Sequence, residues 1–215
     1  MKIYKWSLIV LILQIFFALY LGMQLADDVK IPSHWNIKGE IDGYMGKWMG
    51  ILVFPGLNFF IFLVFLFLPK FSVRYKDKEG QFSKVLPNFS LILIFFFAII
   101  HIYTILLAKG VFNPGGKEIF IMLGLMFILL GNLLPKIPSN FFAGIRTPWT
   151  LSSEVVWRKT HRVGGICFIV GGLIMIIIPL IMKNTEQAFI VTFILFMAVI
   201  LYSVLYSFIL YKKEK

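Results

Sequence analysis

The run "VLPNFSLILIFFFAIIHIYTILLA", residues 85–108, contains no Asp, Glu, Lys or Arg. A helix crosses the hydrocarbon core of a bilayer with about 20 apolar residues, so this run is long enough to span a membrane. In lipid, a single segment of this kind satisfies its own backbone hydrogen-bonding groups only as a helix. The run therefore predicts a transmembrane helix.

Five further charge-free runs repeat this pattern along the chain. They lie at residues 6–25, 49–68, 119–135, 163–182 and 187–211. The composition agrees, because the 215 residues are 60% hydrophobic and only 14% charged, whereas a soluble domain carries about 25% charged residues. We expect an all-α integral membrane protein built as a six-transmembrane-helix bundle.

The Lys and Arg residues are distributed unevenly over the segments that connect these runs. Fifteen of the 21 lie in the amino terminus, the second and fourth connections and the carboxyl tail, and six lie in the other connections. Cytoplasmic segments of membrane proteins are enriched in Lys and Arg, so this distribution predicts that both termini are cytoplasmic. The net charge of +11 is then explained mostly by the basic cytoplasmic segments, which are also suited to contact with anionic lipids. We therefore expect no direct binding of nucleic acid.

The connections suggest a division of the chain into two parts. Residues 1–87 hold the first two spans, an outer loop at 26–47 and a cytoplasmic turn at 69–87. Residues 88–215 hold the other four spans and a cytoplasmic loop at 136–162. The two loops at 26–47 and 136–162 carry many polar and aromatic residues, so we expect the functional residues there.

The outer loop contains the stretch "IPSHWNIKGEIDGYMGKW", which begins at residue 31. Its Lys-Gly and Asp-Gly pairs at 38–39 and 42–43 both suit tight turns. Apolar residues around these pairs predict a small folded lid or short hairpin over the outer ends of the spans. Trp35, Tyr44 and Trp48 suit anchoring at the membrane interface, and the polar residues suit contact with a ligand. Both interpretations stay open at this point.

The fourth connection predicts a break followed by a new helix. Pro135 and Pro138 stop the fourth span, and Thr150 or Ser152 suits the amino-terminal cap of a helix with Glu154 in its first turn. That helix is expected to run from about residue 153 directly into the fifth span. Its first turns then lie at the level of the lipid headgroups.

Side-chain spacing on this helix predicts two local contacts. Glu154 and Arg158 are four residues apart, which favours an ion pair, and Trp157 and His161 are spaced to stack. Arg146, which precedes the helix, has donors that suit carbonyl groups at the end of the fourth span. Arg146 is thus either a structural staple or part of a docking surface, and the basic residues around it suit anionic lipids.

The spans themselves contain few polar residues. Gln14, Asn58 and Asn132 suit hydrogen bonds between helices, and His101 suits either a bond to a neighbouring helix or contact with a ligand. Glycine pairs at 164–165 and 171–172 repeat at heptad spacing, which lets a neighbouring helix approach the fifth span closely. In the outer loop, one His and a few carboxylates at irregular spacing lack the paired ligands of a zinc site, and we expect no metal or cofactor.

Two motifs resemble a known family. The pattern "GN(x7)N(x3)GIRTPWTL(x5)W(x2)THR(x2)G", which begins at Gly131, closely resembles the signature of the SdpI family of bacterial membrane immunity proteins. The outer pattern "P-x-H-x-N-x-x-G-x-x-D-G-Y", which begins at Pro32, resembles a small domain of unknown function that often precedes this signature. The two motifs and the six spans together cover nearly the whole chain.

The resemblance implies an immunity protein in the bacterial cell membrane and no enzymatic activity. Its partner on the outer side is then a secreted peptide toxin, with contact candidates Pro32, His34, Asn36, Gly39, Asp42, Gly43 and Tyr44. It also implies a signal-transducing receptor that holds a small transcriptional repressor at the cytoplasmic face when toxin is present. The signature residues are the signalling candidates: Asn132, Asn140, Gly144, Ile145, Arg146, Thr147, Pro148, Trp149, Thr150, Trp157, Thr160, His161 and Arg162.

An alternative from another class is a lipid- or peptide-handling membrane transporter or enzyme that uses His101, Arg146 and His161. Ion-coupled transporters usually place acidic or basic residues at membrane depth. None of the six runs contains such a residue, which disfavours this alternative.

Overall fold

The computed structural model describes residues 4–71, 78–112 and 115–214. Within these ranges six helices are long and apolar enough to cross a membrane. They are α1 (Lys5–Met23), α2 (Lys47–Phe71), α3 (Glu79–Ala108), α4 (Lys117–Leu133), α6 (Glu154–Ile181) and α7 (Thr185–Glu214). The predicted six-helix bundle is confirmed, and the chain is a multi-pass membrane protein. Of the residues used for the topology prediction, Lys2, Arg74, Lys76 and Lys215 lie outside the described ranges.

Shorter elements complete the fold. Strands β1 (Lys30–Trp35) and β2 (Ile41–Gly46) form an antiparallel hairpin between α1 and α2. A 3-10 turn, Leu134–Lys136, ends α4, and the one-turn helix α5 (Pro148–Ser152) lies directly before α6. The folded lid predicted for the outer loop is therefore a β-hairpin, and α6 begins where the sequence predicted a helix.

Contacts between segments define two ends of the bundle. At one end, Lys78 pairs with Glu154, and Ser153 donates a hydrogen bond of 3.0 Å to Glu214 near the end of α7. Tyr4 belongs to the same end, since it clusters with Phe82 near the start of α3. We call this the loop end, because the 136–153 loop lies there. The opposite end carries the β-hairpin and is called the hairpin end.

Helices α1, α2 and α3 pack around a buried polar layer. Asn58 donates to Gln14 Oε1 at 2.7 Å and to the carbonyl of Ile94 at 2.9 Å. Gln14 donates to His101 Nδ1 at 3.2 Å, and His101 Nε2 donates to the carbonyl of Gly50 at 3.1 Å. The predicted bonding of Gln14, Asn58 and His101 to neighbouring helices is confirmed.

Helices α4 and α6 touch through their backbones. A Cβ atom added to Gly131 would lie 2.7 Å from the carbonyl oxygen of Gly165, and the same distance holds in reverse. One heptad along, Gly124 and Gly172 have the same reciprocal relation at 2.5 Å. The close approach predicted from the glycine pairs is confirmed, and α4 is the neighbour that makes it.

Helix α3 contains the boundary that the sequence suggested after residue 87. Its residues contribute to both apolar clusters of the first half, through Phe82, Leu86 and Ile94 in one and Ile105 in the other. Val85 packs instead with residues at the loop end of α4 and α6. Helix α3 therefore packs mainly with α1 and α2, and we call these three helices the first packing unit. It contacts the second half of the chain at both ends, through Val85 at the loop end and through Tyr103, which donates to Glu118 Oε2 of α4 at 3.2 Å, at the hairpin end.

Candidate functional site

The signature loop, residues 136–153, is built around the buried side chain of Asn140. Its Oδ1 accepts from the backbone N–H groups of Phe142 at 2.7 Å and Ala143 at 2.8 Å. Its Nδ2 donates to the carbonyls of Pro138 at 2.8 Å and Ala143 at 3.1 Å. One amide thus replaces the regular backbone bonding that the prolines prevent.

His161 of α6 fixes the next part of the loop. Its Nε2 accepts from the backbone N–H of Ile145 at 3.1 Å, and its Nδ1 donates to the carbonyl of Trp157 at 2.8 Å. Gly144 has φ +107°, a conformation that favours glycine. A Cβ atom on Gly144 would overlap the His161 ring, so glycine is needed both for the backbone angle and for the space.

Trp157 holds the His161 ring and the start of the signature loop in place. Its ring stacks on His161 with centroids 4.0 Å apart, as the spacing predicted, and its Nε1 donates to the carbonyl of Ile137 at 2.9 Å. Trp157 is fully buried and packs with Val85 and Leu134. The loop is therefore attached to the bundle by both polar and apolar contacts.

The Thr-Pro-Trp-Thr turn attaches the loop to α7. Thr147 caps α5 by accepting from Thr150 N at 3.2 Å, and Thr150 Oγ1 accepts from Thr147 N at 2.9 Å. Thr147 Oγ also lies 3.1 Å from Ser207 Oγ of α7, and the Trp149 ring lies 4.9 Å from that of Phe208. Pro148 occupies the first position of α5, where its missing N–H costs nothing.

The predicted cap of α6 was wrong. Ser153, rather than Thr150 or Ser152, caps it by accepting from Val156 N at 3.3 Å. The reason is that Thr147 and Pro148 start a separate turn, α5, which leaves Thr150 inside that turn.

Arg146 is exposed, and its Nη1 donates to the carbonyl of Phe141 at 2.6 Å. The predicted bond to carbonyls at the end of the fourth span was wrong, since the partner lies five residues away within the loop. Phe141 is 47% exposed and Phe142 is 41% exposed. Arg146 and these two phenylalanines are exposed next to one another on the loop. The two rings were not predicted as site residues, because Phe is abundant throughout the chain.

The remaining signature residues are divided between the interior and the surface. Thr160 is buried, and Arg162 is exposed beside Arg158 and Lys159. Asn132 is exposed and donates to the carbonyl of Ile128 in its own helix at 3.1 Å. Its predicted interhelical bond was wrong, because the adjacent Gly131 occupies the side of α4 that faces α6.

Glu154 pairs with a different cation from the one that its spacing suggested. Lys78, just before α3, forms an ion pair with Glu154 and also lies 3.4 Å from Ser139 Oγ. This pair joins the first packing unit to the start of α6. Helical spacing could predict the Arg158 alternative but not a partner 76 residues away.

The side chain of Asn36 stabilises the turn between β1 and β2. Its Oδ1 accepts from the backbone N–H groups of Lys38 at 2.9 Å and Glu40 at 3.1 Å, and its Nδ2 donates to Glu40 Oε2 at 3.0 Å. Gly39 has φ +78°, as the Lys-Gly turn requires. The turn predicted at Asp42-Gly43 was wrong, because both residues lie inside β2, where Gly43 pairs with His34.

Only some of the predicted contact residues on the hairpin are accessible. His34, Asp42 and Tyr44 are exposed, and His34 Nδ1 lies 2.5 Å from Asp42 Oδ1. Pro32 is buried, and Gly43 lies close against the His34 Cβ. Pro32 and Gly43 therefore shape the hairpin rather than present a side chain.

The hairpin is fixed to the bundle by a buried lysine and an isoleucine. Lys47, at the start of α2, donates to the carbonyl of Leu25 at 2.7 Å and to Asp27 Oδ1 at 2.9 Å. The hydrogen bond and charge of Lys47 lower the pKa of the Asp27 carboxyl from its usual value. Ile31 is fully buried against Gly50.

Comparison with known proteins agrees with both motifs. Residues 136–207 match the SdpI/YfhL protein family. We call these matched residues the SdpI region. Residues 9–59 match a domain of unknown function, DUF1648. The resemblance predicted from the two motifs is confirmed, and the SdpI region contains the loop that Asn140, His161 and Trp157 hold in place.

The similarity extends over nearly the whole chain. The chain is 25% identical over 207 residues to the immunity protein SdpI of Bacillus subtilis (strain 168), which covers 96% of this chain and 95% of that protein. No solved structure shows significant similarity. The six apolar helices and the SdpI region together identify a multi-pass protein of the cell membrane.

Proposed function

We propose that this protein protects the bacterium that makes it against a secreted peptide toxin. The observation that carries the proposal is the similarity over 96% of the chain to a protein named for immunity. The similarity also favours a role without catalysis. In the proposed orientation, with both termini cytoplasmic, the hairpin faces the outer side and meets the toxin first.

The proposal includes a second role for the signature loop as a cytoplasmic docking surface for a transcriptional repressor. Arg and aromatic side chains are enriched at the centres of protein interfaces. Phe141, Phe142 and Arg146 are exposed together on a loop whose backbone is held by Asn140 and His161. A surface held in one conformation loses little entropy when a partner binds.

The exposed basic side of α6 is proposed to contact anionic lipid. Arg158, Lys159 and Arg162 line one shallow pocket with Val155 near the loop end. Basic residues near an anionic membrane surface each contribute about 1 kcal/mol of attraction. This contact would hold the start of α6 at the headgroup level beside the docking surface.

The transporter or enzyme alternative gains no support from the positions of its three candidate residues. His101 bonds to Gln14 and Gly50 within the first packing unit, His161 bonds within the signature loop, and Arg146 bonds to Phe141. His101 therefore lies apart from the other two, and the printed bonds of His161 and Arg146 are made to the backbone of the signature loop and of α6.

A survival assay tests the immunity role. Toxin-sensitive cells that express the protein are challenged with secreted toxic peptides from related bacteria, and the expected result is growth at concentrations that kill control cells. Lack of protection against every peptide, at normal protein levels in the membrane, would contradict the proposal. A fluorescently labelled repressor encoded beside the protein should move to the membrane when the matching toxin is added.

A further inference from the structure

A pocket of about 200 Å³ lies at the loop end, where the start of α3, the end of α4 and the start of α6 meet. We call it the loop-end pocket, and the cations that line it are Lys78, Lys136 and Arg158. Glu154 also lines the pocket, and its ion pair with Lys78 offsets one of these charges. Lys136 and Arg158 are exposed and have no acidic partner among the described residues. The charges of these two residues therefore attract an anion to the pocket.

An apolar groove of about 200 Å³ lies between the middle parts of α3 and α4. The residues that line it are all apolar and include Ile92, Phe95, Ile99, Met122, Leu125 and Leu129. Phe95, Leu125 and Leu129 are 49%, 51% and 46% exposed, so the groove opens towards the lipid that surrounds the bundle. Its lining suits a hydrocarbon chain.

The loop-end pocket and the groove lie along one seam between α3 and α4. On α3, Gln81 of the pocket precedes Ile99 of the groove by about five full turns, so the two residues are on the same face of the helix. Along α4 and its terminal 3-10 turn, Lys136 of the pocket follows Leu129 of the groove by about two turns. In both helices, the face that lines the groove therefore continues into the pocket.

Two exposed asparagines lie between the pocket and the groove. Asn88 on α3 and Asn132 on α4 each donate one N–H to a carbonyl of their own helix, at 3.0 and 3.1 Å. The amide nitrogen of each carries a second N–H, which has no acceptor among the described residues. Exposure of such a donor to hydrocarbon is unfavourable, whereas an ester carbonyl would accept its hydrogen bond. Asn132 lies about 6 Å from Lys136 along the helix axis, which is similar to the separation of phosphate and ester groups in a phospholipid.

The order of these groups along the seam matches the order of groups in a phospholipid. A phosphate suits the cations, ester carbonyls suit the amide N–H groups, and an acyl chain suits the groove. A headgroup with net negative charge is favoured over a zwitterionic one, because a zwitterionic headgroup brings its own cation towards Lys136 and Arg158. Free phosphate would occupy the pocket alone and would leave the asparagines without an acceptor.

We propose that one anionic phospholipid binds along this seam, with its phosphate between Lys136 and Arg158 and one acyl chain in the groove. The site goes beyond the lipid contact proposed for the exposed side of α6, because three helices form it and it has a defined place for the chain. The bound lipid would contact α3 of the first packing unit together with α4 and α6, and would hold them together at the loop end. The site does not depend on the immunity role.

Native mass spectrometry of the full-length protein tests the site. The protein in detergent is titrated with phosphatidylglycerol, or with phosphatidylcholine that carries the same acyl chains, and the dissociation constant of the first bound lipid is measured. We expect phosphatidylglycerol to bind about tenfold more tightly. Glycerol phosphate, which has no acyl chain, should not compete with it.

A matched pair of charge variants tests the position of the headgroup. Lys136→Gln with Arg158→Gln removes two charges from the pocket, and Lys159→Gln with Arg162→Gln removes two charges from α6 outside it. The two variants have the same net charge. We expect the first to weaken phosphatidylglycerol binding about tenfold and the second by less than about threefold, because a cation contributes most when it contacts the phosphate directly.

A matched pair of tryptophan variants tests the groove. Leu125→Trp places a large ring in the groove, whereas Leu201→Trp places the same ring on α7, where leucine is 52% exposed compared with 51% for Leu125. We expect only Leu125→Trp to weaken phosphatidylglycerol binding, by about tenfold. Phosphatidylglycerol with a photoactivatable acyl chain should label residues 92–99 and 122–129 of the wild type. Melting temperatures check that each variant is folded.

The outcomes separate the site from the proposed function. Equal affinity for the two lipids, equal loss in the two charge variants, undiminished binding to folded Leu125→Trp, or competition by glycerol phosphate would overturn the site. If the pocket charge variant does not fold, the tryptophan pair and the labelled residues decide. Lipid binding as expected, together with a lack of protection against every toxin, would leave the site standing and contradict the immunity role.

Discussion

The Nε2 atom of His161 accepts a hydrogen bond from the backbone N–H of Ile145, 16 residues earlier, at 3.1 Å. Nδ1 of the same ring donates to the carbonyl of Trp157, so both ring nitrogens are used. Gly144 lies directly against the ring. The contact between the loop and α6 therefore depends on one glycine, one imidazole and the tryptophan on which it stacks.

Gly144→Ala should destabilise the loop. The added methyl group would displace His161 and would require a backbone conformation that alanine avoids. We expect a loss of about 1–3 kcal/mol in unfolding free energy, measured in detergent or nanodiscs, and faster hydrogen exchange at Ile145. Gly80→Ala is the control, because nothing lies within 4 Å of a Cβ there. Equal stability of the two variants would contradict this role for Gly144.

Asn140→Ala should be more damaging than Asn132→Ala. The first removes a buried side chain that makes four hydrogen bonds, and the second removes an exposed side chain whose bond lies within its own helix. The expected loss in unfolding free energy is about 2–4 kcal/mol for Asn140→Ala and about 0.5 kcal/mol or less for Asn132→Ala. Limited proteolysis of the loop provides a second measurement, and similar cleavage rates would count against the Asn140 network.

Arg146→Ala should impair signalling more than Asp42→Ala does. Arg146 belongs to the proposed docking surface, whereas Asp42 lies on the hairpin beside His34. The measurements are repressor recruitment and survival after toxin challenge, compared at equal protein levels. Because Arg146 also bonds to Phe141, Arg146→Lys serves as the control that retains the charge. Equal loss of both activities in Arg146→Ala and Asp42→Ala would contradict the division between the two ends.

The Asp27–Lys47 pair should make a small contribution to stability that depends on pH. The pKa of Asp27 is lowered in the folded protein by Lys47. The contribution is therefore present above the ordinary aspartate pKa and is lost as the pH falls through the lower folded value. The stability difference between wild type and Asp27→Asn, measured by thermal unfolding, should shrink over that acidic range. A difference that grows on acidification would contradict the assignment.

Periodicity and charge were sufficient to predict the six helices, the hairpin and the start of α6, because these follow from local composition. The Trp157–His161 stack and the approach at the glycine pairs also follow from helical spacing. The bonds of Arg146 and Glu154 could not be predicted, since their partners depend on how the loop folds and on which segment lies nearby. The loop-end pocket was missed for the same reason, because Lys78, Lys136 and Arg158 are distant from one another in sequence.

The paired glycines of α4 and α6 limit which helices are free to shift. At Gly124–Gly172 and Gly131–Gly165 the two backbones are already in contact, so sliding or rotating one helix against the other would drive main-chain atoms together. If the proposed signalling involves movement of helices, we therefore expect α4 and α6 to keep their relative position and to move as one rigid pair. The signature loop would then be moved by displacement of α1–α3 or of α7 around it.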